Sequence, residues 1–307
     1  MTRTSEPILF FGSGPVAAKS LSLLAADFEI EAVITKPRPA HHKGDVPVLR
    51  VAEKFGLPVK TATDKKSLSQ LFAYERPQSR VGVLIDFGII VPQEVIDVFP
   101  LGIINSHFSI LPEWRGADPI TFAILSGQQT SGVSLMQLVE ALDEGPLLGF
   151  GELELAADIT TPELTSSLID LSHQLLKEIL PAYLAGNVIP APQSVTGRDV
   201  SYSRKLSKND AVLDWTKPAL QLDREIRAYI EWPRSCTTFA NIQVGITKAR
   251  VTALSGIPGR RDVIDKEPVV FCGVGGLVIE RLKPAGKKEM TGKEFLAGYK
   301  RHFLEAG

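Results

Sequence analysis

The sequence predicts an α/β fold class: a doubly wound domain of parallel βαβ units, then a smaller domain of short strands forming a barrel or a sandwich. Three observations carry this prediction. Short apolar runs alternate with helically spaced apolar residues through the first 150 residues, short β-like runs separated by Gly and Pro follow residue 230, and a stretch bearing Pro and Gly at residues 187–203 separates the two patterns. A length of 307 residues suits two domains of roughly 150 residues, each able to bury its own core.

Taken in order, residues 8–11 (Ile-Leu-Phe-Phe) are a buried-strand run, Gly12-Ser13-Gly14-Pro15 is the turn after it, and residues 16–24 have helical spacing. A strand at 31–35, a helix at 48–55 ended by Gly56 and a strand at 81–85 continue the alternation. The apolar run 101–105 leads directly into Ser106-His107, and residues 132–138 alternate as a strand does. Right-handed crossovers make such units parallel, and ligands bind beyond the carboxyl ends of the strands. Polar residues just after a strand are therefore the candidates for chemistry. A long amphipathic helix spans 160–184, with Thr160, Thr161 or Pro162 near its start and a break at 181–186. After the 187–203 linker come one helix at 217–230 and short strands at 237–239, 246–254, 269–272 and 277–282.

The composition, 44% hydrophobic and 22% charged, excludes a disordered chain, and no apolar run approaches the roughly 18 residues of a membrane span. The only two cysteines, Cys236 and Cys272, lack CxxC spacing, which speaks against a disulfide framework and a thiolate zinc site. The amino terminus has the pattern of neither a secretory nor an organellar signal, so cytoplasmic residence is expected. The net charge of −1 hides a division: residues 1–196 carry −8 and residues 197–307 carry +7. A basic back half fits a polyanion-binding unit; chance segregation of surface charge fits the numbers equally well.

The turn at Gly12 begins like a dinucleotide fingerprint, but the third Gly is missing and no acidic residue closes the second strand before Thr35-Lys36. A tight turn that lets helix and strand approach closely is the better reading. The stronger segment is residues 105–120, Asn-Ser-His-Phe-Ser-Ile-Leu-Pro-Glu-Trp-Arg-Gly-Ala-Asp-Pro-Ile. Residues two apart in a strand face one side, so Asn105 and His107 project together. Asn can donate to an oxygen that becomes negative, and His exchanges a proton near neutral pH. Asp143, in the polar loop 138–145, reaches the same edge if its strand neighbours theirs, where it would favour the charged imidazole and set its tautomer. With no Ser or Cys nucleophile marked, this trio suits direct acyl transfer to an amine. His41-His42 have no third ligand pattern and are expected to be merely exposed, with no metal.

Asn105-x-His107-x-Ser109-x-Leu111-Pro112-x-x-Arg115-Gly116-x-x-Pro119-Ile120, then Gly132-Val-Ser-Leu-Met-Gln137 and Leu142-Asp143-x-Gly145, resembles the 10-formyltetrahydrofolate-dependent formyltransferases. In that family Asn, His and Asp transfer a formyl group to an amine. Residues 202–215, Arg224-Glu-Ile-Arg-Ala-Tyr229 with Trp232-Pro233, residues 277–290 and the closing 292–299 look like the C-terminal domain of the methionyl-tRNA formyltransferases. The resemblance covers nearly the whole chain. It implies a Rossmann-like formyltransferase domain at 1–186, the linker at 187–203, and an OB-like β-barrel at 204–307 that helps hold tRNA.

By that resemblance Asn105, His107 and Asp143 are catalytic, with 10-formyltetrahydrofolate as formyl donor and no metal. Ser109, Ile110, Leu111, Pro112, Phe87 and Gly88 would bind the folate, largely through backbone groups. Lys36, Lys43, Arg204, Lys205 and Lys208 would meet initiator methionyl-tRNA, and the protein would be a monomer without membrane contact. The chain departs from the family in three places: a shortened loop at 36–45, Asp86-Phe87-Gly88 where Ala-Tyr-Gly is usual, and Glu144 in place of Thr. Two rival expectations remain, a formyltransferase acting on an amino sugar nucleotide and a non-catalytic tRNA-binding protein.

Overall fold

The computed structural model describes residues 4–38, 46–74 and 76–305. In chain order the elements are β1 (Thr4–Phe11), α1 (Pro15–Asp27), β2 (Phe28–Thr35), α2 (Pro47–Phe55), β3 (Val59–Thr61), α3 (Lys65–Tyr74), β4 (Gly82–Leu84), α4 (Gln93–Ile96), β5 (Ile103–His107) and β6 (Arg115–Gly116). They continue with α5 (Pro119–Ser126), β7 (Thr130–Gln137), β8 (Leu147–Glu154), α6 (Thr161–Leu184), β9 (Tyr202–Ser203), α7 (Ala219–Ala228), β10 (Cys236–Phe239), β11 (Ile242–Thr252), β12 (Arg261–Ile264), β13 (Glu267–Phe271), β14 (Gly276–Pro284), β15 (Met290–Thr291) and α8 (Gly292–Leu304).

The chain forms two compact units, residues 1–119, 130–154 and 165–203 in one, and residues 120–129, 155–164 and 204–307 in the other. The first holds a seven-stranded sheet in the order β3-β2-β1-β4-β5-β7-β8. Strands β1 to β5 are parallel, as predicted, with the chain reversing direction across the sheet between β1 and β4. β7 runs antiparallel to β5, and β8 antiparallel to β7. Alternation of apolar residues is the same in either direction, so the sequence pattern could not reveal this reversal. Phe11 makes ring contacts with Phe72, Phe87 and Phe99, and each buried ring contributes roughly 1.5–3 kcal/mol.

Local chemistry sets the ends of the elements. α2 begins with Pro47 in its first turn and stops at Gly56, whose φ of 64° lets its N–H close on the carbonyls of Ala52 and Glu53. A Cβ on Gly12 would lie 2.6 Å from that of Ala17 and 2.8 Å from the carbonyl oxygen of Ile85, so the close-approach reading of this turn is the one observed. α6 does not break at Pro181 but runs on to Leu184. The hydroxyl of Tyr183, donating to the carbonyl of Leu101 at 2.7 Å and accepting from Gln137, pins that last turn. Residues 187–203, expected to link two domains, fold into the first unit instead: Ala191 and Leu147 exchange backbone hydrogen bonds, and β9 pairs with β6.

The second unit is a curled antiparallel sheet, β10-β11-β14-β13-β12 with β15 on β14, of the small barrel-like kind the sequence predicted. Register shifts near Lys248 bend β11 against β14. Leu222 and Ile226 of α7 and Phe295 and Phe303 of α8 enter one core with Phe239, Val244, Leu277 and Leu282. Residues 155–164 belong here because Arg227 donates to the carbonyl of Ile159 and Thr161 to that of Ala228, and residues 120–129 because Arg224 donates to the carbonyl of Ser126 and Arg204 lies over the Phe122 ring. Among the described residues no helix is long and apolar enough to cross a membrane.

Candidate active site

β5 is buried along its whole length and ends in Asn105-Ser106-His107. Its alternation is visible in the contacts: Ser106 faces α6, its hydroxyl 2.7 Å from that of Ser172, while Asn105 and His107 point to the opposite face. The hairpin loop 138–145 leaves β7 beside Ile103 and brings Asp143 over both side chains. Asn105 Nδ2 donates to Asp143 Oδ1 at 3.5 Å, and Asp143 Oδ2 lies 3.8 Å from His107 Nδ1. All three are buried, at 8%, 6% and 9% exposure for Asn105, His107 and Asp143. The structure thus brings the predicted trio together, although the loop starts from beside Ile103, near the amino end of β5, rather than beyond its carboxyl end.

Hydrogen bonds fix the roles each group can take. His107 Nε2 is 3.0 Å from the carbonyl oxygen of Trp114, so it carries the hydrogen and leaves Nδ1 as the basic atom. The separation from Asp143 is too long for a hydrogen bond, so Trp114, not Asp143, sets the tautomer. Burial holds the His107 imidazole below its ordinary pKa; Asp143 opposes that only in part, which leaves the neutral ring at neutral pH. Asp143 thus favours the charged imidazole, as expected, but burial outweighs it. Asp143 itself accepts the N–H of Gly116 at Oδ2, 2.8 Å away, and sits at a φ of 51°. Gly145 follows because a Cβ there would lie 1.7 Å from the carbonyl oxygen of Gln137.

The residues expected to bind folate are placed otherwise than as a free rim. Ser109, Ile110, Leu111 and Pro112 are buried, in a loop with a cis Leu111–Pro112 peptide. Ser109 donates to the carbonyl of Glu113, Leu111 donates to Ser134 and accepts from Thr196, and Pro112 accepts from Ser201. Those groups are engaged within the protein. The Phe87 side chain, 2% exposed, packs edge-on to Phe11 in the core. Gly88, by contrast, is exposed, with a φ of 66°, and Lys36 Nζ lies 2.8 Å from where its Cβ would be.

Asp86, at a φ of 50°, joins the two Gly-rich turns. Its carbonyl accepts from Ser13 and Gly14 at 2.9 and 3.3 Å. Its carboxylate accepts from the backbone of Ala17, and a Cβ on Gly14 would meet Oδ2 at 1.8 Å. The protein's own carboxylate therefore occupies the helix N-terminus where a phosphate cradle would need space. Desolvation raises this carboxyl to about 6, against the opposing pull of Ala17 and Lys36.

Among the tRNA candidates, Lys205 and Lys208 are exposed, but Arg204 is paired with Asp210 and lies over the Phe122 ring. Lys43, His41 and His42 lie outside the described residues. Sequence reasoning missed Gln193, 7% exposed, which donates to the carbonyls of Asp143 and Gly145. It missed the carbonyl of Trp114 as well. Neither carried a signal: one sits in a Pro-flanked stretch far along the chain, the other acts through backbone.

A Rossmann-like unit with a buried Asn–His–Asp cluster whose histidine, among the described residues, is hydrogen-bonded to no Ser or Cys, joined to a curled antiparallel sheet, defines a two-domain enzyme of group transfer. The chain belongs to the formyl transferase family: the family's model matches residues 17–180, and that of the formyl transferase C-terminal domain matches residues 205–300. It is 36% identical over 295 residues to the methionyl-tRNA formyltransferase of Parvibaculum lavamentivorans, covering 94% of each chain. To that of Myxococcus xanthus it is 35% identical over 300 residues, covering 95% of each. Its fold is similar to that of the N-formyltransferase of Helicobacter canadensis, crystallised with folinic acid and dTDP-3-aminofucose, at a TM-score of 0.66 and 18% identity over 89% of this chain and 98% of that one. HypX of Aquifex aeolicus with tetrahydrofolic acid aligns at a TM-score of 0.64 and 16% identity over 97% of this chain and 47% of that one.

Proposed function

We propose that this enzyme transfers the formyl group of 10-formyltetrahydrofolate to the α-amine of methionyl-tRNA, the initiator species, in support of translation initiation. The observation that carries the reading is the buried Asn105–His107–Asp143 cluster, in a chain at least 35% identical to two methionyl-tRNA formyltransferases along nearly its full length. The donor supplies an activated formyl carbonyl. Asn105 fits such a group, since its amide is engaged by Asp143 only at 3.5 Å and keeps capacity for a second oxygen.

In this reading the acceptor amine attacks the formyl carbon, a C–N bond forms to it and the bond to the donor nitrogen breaks. His107 Nδ1 accepts the proton the amine loses and returns it to the departing nitrogen, so that the protein ends unchanged. Asn105 donates to the carbonyl oxygen as it gains negative charge. Asp143, held by Gly116, stabilises the transient imidazolium across 3.8 Å. A neutral, buried His107 supports the relay, because only the neutral ring can take a proton.

We assign the folate to the exposed edge at Gly88 and the loop bearing Leu142 rather than to the side chains of Ser109, Leu111 and Phe87. Lys205 and Lys208, with Lys36 and the residues around Lys43, would meet the tRNA backbone, in keeping with the +7 charge of residues 197–307. The chain would act in the cytoplasm. Formylation of purified methionyl-tRNA with 10-formyltetrahydrofolate, with elongator tRNA and an amino sugar nucleotide as controls, tests the reading. Transfer to the initiator species supports it; transfer to the sugar alone, or to no amine, overturns it.

A further inference from the structure

We propose that Gln193, seated by Arg115, is the positioning residue that holds Asp143 against His107 and Asn105. The inference rests on the catalytic role assigned to Asp143 above. Arg115 Nη2 and Nε donate to Gln193 Oε1 at 2.7 and 3.3 Å, and Gln193 Nε2 donates to the carbonyls of Asp143 and Gly145 at 2.7 and 3.0 Å. Both amide hydrogens meet acceptors and the amide oxygen meets only donors. The orientation of the side chain is therefore fixed, and no polar atom of this buried amide lacks a partner.

The geometry closes a ring around one residue. Arg115-Gly116 reaches Asp143 twice: through the Gly116 N–H to the carboxylate, and through Gln193 to the carbonyl of the same residue. Arg115 Nη1 also pairs with Glu144 at 3.1 Å, so the three consecutive residues 143–145 are each held by Arg115 or by its partner Gln193. Such anchoring is required because Asp143 adopts a left-handed φ of 51°, which an Asp side chain takes up only at a cost. Without Gln193 the loop can relax toward ordinary backbone angles, and its carboxylate then leaves the pair of side chains below.

The test uses the full chain and follows formylation of methionyl-tRNA against pH in four proteins: wild type, Gln193→Glu, Asp143→Asn and the double variant. Gln193→Glu keeps the acceptor for Arg115 but sets a carboxylate against two carbonyls. It is expected to lower kcat by about tenfold or more, to leave KM for the donor within about twofold, and to shift the acid limb of the kcat profile. In the Asp143→Asn background it should slow turnover by less than about twofold, since its effect passes through Asp143. A merely structural role moves the melting temperature but not the pH profile. Unchanged kcat and pH profile in Gln193→Glu, or full additivity in the double variant, overturns the inference. Normal turnover by Asp143→Asn instead overturns the role given to Asp143. If Gln193→Glu does not fold, Gln193→Met, of matching length, carries the same comparison.

Discussion

His107 Nε2 donates to the carbonyl oxygen of Trp114 across 3.0 Å, and this bond, not the nearby carboxylate, decides which imidazole nitrogen is basic. Trp114 can serve because its own φ of 56° turns the chain back toward the end of β5. The consequence is an imidazole whose free Nδ1 faces Asp143, ready to become charged only when it takes a proton. A main-chain acceptor cannot be removed by side-chain substitution, so its effect is read through the groups around it.

The pH dependence of kcat follows from burial. The imidazole works as a base only when neutral, so activity rises with pH through its pKa and then levels, and burial places that rise below the ordinary histidine range of about 6.5. Asp143→Asn removes the carboxylate charge that favours the imidazolium. The acid limb should therefore move further down while the plateau falls by about 10²-fold or more. Steady-state profiles of both proteins check this; an acid limb that moves upward contradicts it.

Asn105→Ala removes the only side-chain amide donor of the trio. Loss of one such donor typically costs about 10²- to 10³-fold in rate. Because the oxygen gains charge only in the transition state, the loss should appear in kcat with little change in KM for either substrate. Near-normal single-turnover rates of formylation would remove Asn105 from the mechanism.

Asp86→Asn should stabilise the protein at neutral pH. A carboxyl raised from its unfolded value to about 6 binds its proton more tightly in the folded state, so stability falls as pH climbs from about 4 to 6 and the deficit persists above. Asn keeps the acceptor for the Ala17 N–H and tolerates a φ of 50°. Since Asp86 is exposed at its rim, the expected gain at pH 7.5 is only about 1 kcal/mol after allowance for solvent screening. Urea unfolding at pH 7.5 and pH 4 measures it, and the gain should vanish at the lower pH.

The basic residues of the second unit should separate into two kinds. Lys208→Ala is expected to weaken tRNA binding uniformly and to reduce the slope of log affinity against log salt by about 1. Arg204→Ala should act more on stability, because its guanidinium pairs with Asp210, whose carboxyl it holds well below the ordinary range. That pair, with Arg204 largely exposed, contributes about 1 kcal/mol or less above pH 4, and its contribution disappears as acid protonates Asp210. Filter binding across a salt series, with melts alongside, distinguishes the two.

Much of the fold was legible because local patterns report local structure. β1, α1, β2 and α2 are each recognisable from apolar period and a Gly or Pro at the boundary, and α7 and the strands β10, β11, β13 and β14 followed their runs within a few residues. α3 was not read, although Leu68, Leu71 and Phe72 have helical spacing and pack into the core. β8 was missed too: its outer half alternates weakly, and two glycines let α6 approach it.

The residues of the candidate site, Asn105, His107 and Asp143, could be named from the chain alone, since two lie two apart at a strand end and the third lies in a polar turn. The side-chain alternation of β5 and the tightness of the Gly12 turn were likewise local matters. Tertiary packing decided the rest. β7 could run either way on its pattern, and only pairing with β5 made it antiparallel and swung Asp143 over the site. The side chains of Phe87 and Leu111 lie in the core because neighbours distant in sequence cover them. The tautomer of His107 and the hold on Asp143 depend on Trp114 and Gln193, 50 residues apart from Asp143 in the latter case. A charge state or a carboxylate position depends on everything within a few ångströms, and no periodicity records what those neighbours will be.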